Sequence, residues 1–154
     1  MKRLIITGYE DFEVRIGTLL GASDYFTIDQ HQVNQFADAT LDHQWIHTDP
    51  DRATKESTFG GPIAHGYLTI SLVPYLWEQI IEVKNLKAMI NYGIESLRFN
   101  QAVPVGASVK LHANLKSVIN LRGITKVEIE AKMELKDHKK PVFTAILVFL
   151  YHFH

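Results

Sequence analysis

Two side chains in this sequence are suited to handing a proton back and forth, Asp42 and His47, five residues apart in Asp42-His43-Gln44-Trp45-Ile46-His47. A carboxylate and an imidazole gripping one water can deprotonate it and return the proton to a neighbouring atom, each transfer contributing roughly 10²- to 10⁴-fold to a rate. Further on, Gly60-Gly61-Pro62-Ile63-Ala64-His65-Gly66 turns the chain into its most apolar stretch. A helix opening near Gly66 would present N–H groups without intrahelical acceptors, and these, with the helix dipole, favour a developing anion. The spacing alone also fits a plainer reading, with Asp42 capping a turn and His47 a satisfied loop histidine. A metal reading would start from His43 and His47, four apart, with Asp42, Asp49 or His65 as a further ligand. The Asp49-Pro50 junction opposes a helix continuing there, so no metal site is expected. His65 reads as structural, orienting the loop or filling space at the helix start. His112, His138, His152 and His154 fall on strand, turn and tail positions and receive no role.

The elements that carry these residues follow from periodicity. Phe12 to Leu20 alternates loosely and stops at Gly21, which predicts a short first strand. Thr27-Ile28-Asp29-Gln30 has the capping-box form, and Val33, Phe36, Ala37 and Thr40 follow at helical spacing, so about three turns of helix deliver the chain to Asp42. From His43 to Gly61 the period breaks into a loop, in which Asp49 to Lys55 can form one helical turn with Pro50 at its first position. Ile63 to Ile81 is apolar nearly all round and predicts a buried helix, kinked or broken near Pro74. From Ala88 the period becomes two. Residues 89–99 predict a strand, Val103-Pro104-Val105-Gly106 a turn, and Ser108 to Val118 and Ile124 to Leu135 two half-exposed strands joined at Arg122-Gly123. Pro141 to Phe153 is apolar on both faces and predicts a strand covered on both. A long buried helix followed by an antiparallel meander describes an α+β domain, a sheet wrapped around a central helix.

Composition narrows the possibilities. With 154 residues, 46% of them apolar, the chain can build one core but not two, so a single domain over residues 1–154 is expected. The formal net charge of −1 gives no footprint for nucleic acid or an anionic membrane. Cysteine is absent, which excludes disulfides and thiolate ligands. Met1-Lys2-Arg3-Leu4-Ile5-Ile6-Thr7-Gly8 holds too few apolar residues for a signal-peptide core or a spanning helix, and a cytoplasmic location is expected.

Several motifs together resemble the MaoC-like dehydratases of the hot-dog fold, the superfamily of the (R)-specific enoyl-CoA hydratases, and within it the branch around nodulation protein N. The matching pieces are Phe36-Ala37-x-x-Thr40-x-Asp42-x-x-x-x-His47-x-Asp49-x-x-x-Ala53, then Ile63-Ala64-His65-Gly66, then Tyr92-Gly93-x-x-x-x-Arg98-Phe99 and Val103-Pro104-Val105-Gly106, across roughly residues 12 to 150. Many (R)-hydratases carry Asn-Pro where this chain has Gln44-Trp45, a version familiar from the nodulation-protein-N-like branch.

The resemblance implies a hydratase/dehydratase interconverting 2-enoyl and (3R)-3-hydroxyacyl thioesters, of coenzyme A or of acyl carrier protein, with no cofactor. Asp42 and His47 would be its catalytic pair, in undecided order of base and acid, and Gly66 its oxyanion position. Tyr67, Ile70, Pro74 and Trp77 share one helical stripe and would line the acyl tunnel, two large rings in it favouring short chains; ordinary core packing explains the same stripe. Arg98, Arg52 and Lys55 are candidates for the phosphates of the nucleotide end. A homodimer paired through sheet edges is expected, partly from the two-sided apolar run 141–153. Two alternatives stand beside this, a thioesterase that hydrolyses the thioester and an acyl-thioester binder without turnover.

Overall fold

Strict alternation over long segments builds the sheet, and the apolar stretch before it supplies what the sheet encloses. The computed structural model describes residues 2–154; Met1, the first residue of the N-terminal segment, lies outside them. In chain order the elements are β1 (Leu4–Ile6), α1 (Tyr9–Glu13), β2 (Leu19–Ala22), β3 (Phe26–Thr27), α2 (Gln30–Thr40), α3 (Trp45–Thr48), α4 (Pro50–Glu56), α5 (Gly66–Ser71), α6 (Val73–Ile80), β4 (Ile81–Val83), β5 (Leu86–Phe99), β6 (Ser108–Leu121), β7 (Ile124–Leu135) and β8 (Phe143–Phe153). Six strands form an antiparallel sheet in the order β2-β6-β7-β8-β5, with β3 also on β6, while β1 and β4 pair in parallel apart from it.

On β6 and β7 the alternation has the expected effect. Leu111, Ala113, Ile129 and Met133 face inward and are buried, whereas Asn114, Lys116, Glu130 and Lys132 point to solvent. The inward faces of β6, β7 and β8 close around α6, whose Val73, Leu76, Trp77 and Ile80 complete the core. Each such side chain taken out of water contributes about 1.5 to 3 kcal/mol. This is the hot-dog arrangement, a sheet wrapped around a helix.

The helix inside the sheet is two helices. The stretch expected from Ile63 becomes helical only at Gly66, because Ile63 and Ala64 are drawn into extended pairing: Ile63 bridges Pro104, and the Ala64 N–H donates to the Val103 carbonyl at 2.8 Å. It then breaks at Leu72, which ends α5 and precedes α6. Pro74 sits in the first turn of α6, where its missing N–H costs nothing, and its ring excludes an unbroken helix past the Ile70 carbonyl.

Three further expectations need correction. The first strand does not begin at Phe12. Thr7 donates through both N–H and hydroxyl to the Asp11 carboxylate, 2.7 and 2.6 Å away, and the chain winds through α1 before β2 starts at Leu19. Only Phe12 of that alternation is buried, while Val14 and Ile16 face solvent. The cap of α2 is Asp29, whose side chain accepts from the Gln32 N–H at 2.8 Å; Thr27 belongs to β3 and pairs its hydroxyl with Ser108. Finally, β8 lies between β7 and β5, so it is no sheet edge, and its outer face is only partly covered, with Thr144 exposed and Ile146 and Leu150 half-buried. The long open edge is β5, which pairs with β8 alone and carries exposed Ile90, Tyr92 and Ile94; the short β2 and β3 form the other edge.

Candidate active site

Asp42 is aimed by the end of α2. Leu41 takes the left-handed conformation, φ 62°, at the helix C-cap, which costs a residue with a side chain about 1 kcal/mol or more and turns the chain sharply. Asp42 follows with its side chain 51% exposed. One turn later α3 forms, and its His47 is buried at 7% exposure. Asp49 then caps α4, accepting from the Arg52 N–H at 3.0 Å with Pro50 in the first turn, the helical turn expected there.

The orientation of His47 is set by a chain of backbone bonds. The Val105 N–H donates to the Pro62 carbonyl, the Ala64 N–H to Val103 and the Ile63 N–H to Ile46, at 3.0, 2.8 and 3.0 Å. Segment 62–64 is thereby pinned between α3 and residues 103–105. The Ile63 carbonyl accepts from His47 Nδ1 at 2.7 Å, so the proton sits on Nδ1 and Nε2 keeps its lone pair. Burial holds His47 below the ordinary 6.5; the Ile63 bond acts against this, nearby His65 lowers it further and Asp42 raises it. An imidazole so placed stays neutral near pH 7 and can accept a proton.

Sequence reasoning missed Gln30, whose amide donates to the His47 carbonyl at 2.7 Å and to Asn34 Oδ1 at 3.0 Å. Read as half of a capping box, it is turned instead towards the site. The contact of a helix-start Gln with the segment holding the histidine is a tertiary fact that no local pattern carries.

The structure brings Asp42, His47 and His65 together, one potential ligand atom of each within 4.8 Å of the others. An oxygen about 2.8 Å from each of two atoms can bridge them up to roughly 5.5 Å apart, so one water or hydroxyl can touch both Asp42 and His47. His43 is not part of this group; its Nε2 meets exposed Asp38 at 2.9 Å. Gly66 opens α5, so its N–H has no intrahelical acceptor. It lines, with His47, Phe99, Thr69 and Asn100, a cleft of about 330 Å³ that Asp42 does not line. A Cβ at Gly66 would stand 3.1 Å from the Phe99 ring, a tight contact that would crowd this end of the cleft.

The stripe Tyr67, Ile70, Pro74, Trp77 is divided by the break at Leu72. Ile70 and Pro74 line a second cleft of about 290 Å³ with Ile94, Leu147 and Phe149. Tyr67 is 71% exposed and meets Phe99 edge-on. Trp77 is 1% exposed, donates to the Tyr151 hydroxyl at 2.7 Å and borders a separate hollow beside Arg3 and Met89. The two rings do not narrow a common tunnel, and the short-chain preference inferred from them loses its basis. Of the phosphate candidates, Arg52 lies over the Trp45 ring at 4.3 Å and pairs with Glu56 at 3.0 Å, while Arg98 and Lys55 are exposed with no ion-pair partner among the described residues.

Among the described residues no helix is long and apolar enough to cross a membrane. Comparison with known proteins agrees with the geometry. The MaoC like domain matches residues 11–136. A curated relative, 3-hydroxyacyl-thioester dehydratase Z of Mycobacterium tuberculosis, is 43% identical over 136 residues, 88% of this chain and 89% of that protein. Nodulation protein N of Rhizobium leguminosarum bv. viciae is 38% identical over 138 residues, 88% and 85% of the two chains. Among solved structures, the R-hydratase PhaJ1 from Pseudomonas aeruginosa superposes with a TM-score of 0.73 at 19% identity, covering 90% of this chain and 83% of the other. With residues 11–136 matched and two relatives above 30% identity over most of their length, this chain belongs to the MaoC-like dehydratase family.

Proposed function

We propose that this chain is a hydro-lyase interconverting (3R)-3-hydroxyacyl and 2-enoyl thioesters, with coenzyme A as the favoured carrier. The observation that carries the reading is a buried His47 ring whose Nδ1 is committed to the Ile63 carbonyl and which brings a ring nitrogen within 4.8 Å of an Asp42 carboxylate oxygen. The relative named a 3-hydroxyacyl-thioester dehydratase, at 43% identity, supports it.

In the hydration direction a water held by Asp42 and His47 gives one proton to His47 Nε2 as its oxygen bonds to C3 of the enoyl thioester. Negative charge collects on the thioester oxygen, which the Gly66 N–H, free of an intrahelical acceptor, stabilises, and the proton on Nε2 passes to C2. Dehydration reverses each step: Nε2 takes the C2 proton, the C3 hydroxyl leaves, and that proton completes the departing water. Asp42 accepts the other hydrogen of the water and fixes its direction. Each transfer contributes roughly 10²- to 10⁴-fold, and one oxyanion donor about 10²- to 10³-fold. The cleft bounded by Ile70 and Pro74 suits the acyl chain, being walled by apolar side chains.

The chain is also proposed to work as one folded domain and as a homodimer joined through β5. That strand has an unpaired edge with exposed Ile90, Tyr92 and Ile94, an association hazard that a second copy would remove by pairing. Arg98, exposed on the same strand, would then lie near the junction of the two copies.

The assay is crotonyl-CoA with the purified protein, following loss of the conjugated chromophore alongside free thiol. Loss of absorbance without thiol is the expected result. Stoichiometric thiol release would establish a thioesterase, and ligand binding with neither change would establish a binder.

A further inference from the structure

His65 has more to explain than the packing role its sequence position suggests. It is 2% exposed, and its ring is held on both sides, stacked on His47 with centroids 3.8 Å apart at 25° and tilted against Phe36 at 4.9 Å. Its Nε2 donates to the backbone carbonyl of Asp42 at 3.0 Å, while the Asp42 carboxylate stands off at 3.9 Å, beyond a hydrogen bond. Its own carbonyl accepts from the Leu68 and Thr69 N–H groups at 3.1 and 3.2 Å, starting the turn that presents Gly66. One residue therefore touches the backbone of the carboxylate, the face of the imidazole and the first turn behind the amide.

The choice of histidine here is costly for packing alone. Nδ1 is buried and has no hydrogen-bond partner among the described residues, a desolvation cost that phenylalanine would avoid. The gain must come from Nε2–H, and that donor goes to the one carbonyl that follows the left-handed turn at Leu41. It adds to a weak local hold, because the carboxylate's own bond, to the Gln44 N–H, is long at 3.4 Å.

The geometry points to His65 as a positioning residue for the reacting pair, holding the Asp42 turn, and with it the carboxylate, through Nε2–H. This rests on the reading of Asp42 and His47 as that pair. His65 itself does not touch the reacting atoms. Its effect is on how often carboxylate and Nε2 face one water together, a term in kcat and not in thioester affinity.

Two substitutions separate the contributions. His65→Phe keeps a flat ring against His47 and Phe36 and removes the donor; His65→Gln restores an amide donor where Nε2 stands and removes the ring. With crotonyl-CoA, His65→Phe is expected to lower kcat by about 10- to 100-fold with KM within about twofold, and His65→Gln to recover most of the loss. A His65→Phe protein with wild-type kcat, or a His65→Gln protein no better than His65→Phe, would overturn the inference. So would losses that appear in KM instead of kcat. Asp42→Asn, measured in parallel, keeps the two claims apart: if it hydrates at the wild-type rate the assignment of the pair has failed, whereas an impaired Asp42→Asn beside an unimpaired His65→Phe removes the positioning role alone.

Discussion

Replacing Trp77 by Phe should destabilise the protein and leave its choice of acyl chain untouched. The indole is buried between α6 and the sheet, stacked near Phe149 with centroids 6.0 Å apart, and its Nε1–H meets the Tyr151 hydroxyl at 2.7 Å. Truncation to Ala would open a cavity at about 3 to 5 kcal/mol and leave that buried hydroxyl without its donor at roughly 1 to 3 more, a large share of a total stability of about 5 to 15 kcal/mol. Phe keeps most of the volume and loses the donor, so about 2 to 4 kcal/mol is expected. At about 2 to 4 °C per kcal/mol for a chain of this size, Tm should fall by on the order of 5 to 15 °C. The ratio of kcat/KM for four-, six- and eight-carbon enoyl-CoA substrates should match the wild type within about twofold. Ile70→Ala provides the contrast, since Ile70 lines the apolar cleft and its truncation should favour longer chains. A Trp77→Phe protein with unchanged Tm and a preference moved towards eight carbons would show that the ring borders the acyl chain.

Three other outcomes follow from the site and the sheet edge. Because burial lowers His47 below 6.5, the unfolded chain binds more protons between that lowered value and 6.5, so the His47 contribution to stability is complete above 6.5 and is lost as pH falls through this window; urea titrations at pH 7.5 and 5.5 should show a smaller acid loss in His47→Gln than in the wild type, and equal losses would contradict it. Gly66→Ala should lower kcat by about 10-fold or more, because a Cβ 3.1 Å from the Phe99 ring makes the ring or the start of α5 give way by a few tenths of an ångström beside the amide; a Gly66→Ala enzyme with wild-type kcat would remove the amide from the mechanism. Tyr92→Glu with Ile90→Glu on β5 should convert a dimer to a monomer in sedimentation velocity at micromolar concentration, and a wild type already monomeric there would refute the interface.

Much of this was legible in the residues. The alternation of Val109, Leu111, Ala113 with Lys110, His112, Asn114 encodes a half-buried strand, and it formed one. Pro74 announced the break that separates α5 from α6, since a missing N–H acts locally. What failed depended on partners far away in sequence. Phe12, Val14 and Ile16 look like one face of a strand, but a local bond between Thr7 and Asp11 wins over weak alternation. Trp77 and Ile70 share a helical stripe only if the helix is unbroken, and the turn at Leu72 sends them to different hollows. At the site, motif spacing brought forward Asp42, His47 and Gly66, yet Gln30 and the Ile63 carbonyl, which fix His47, carry no pattern that a single sequence displays.

The most direct test of the central claim is the steady-state hydration of crotonyl-CoA by Asp42→Asn and by His47→Gln, each verified as folded by its thermal transition. A bridging carboxylate and imidazole predict that either change lowers kcat by roughly 10²-fold or more with the fold intact. Near-wild-type hydration by both folded variants would contradict the account.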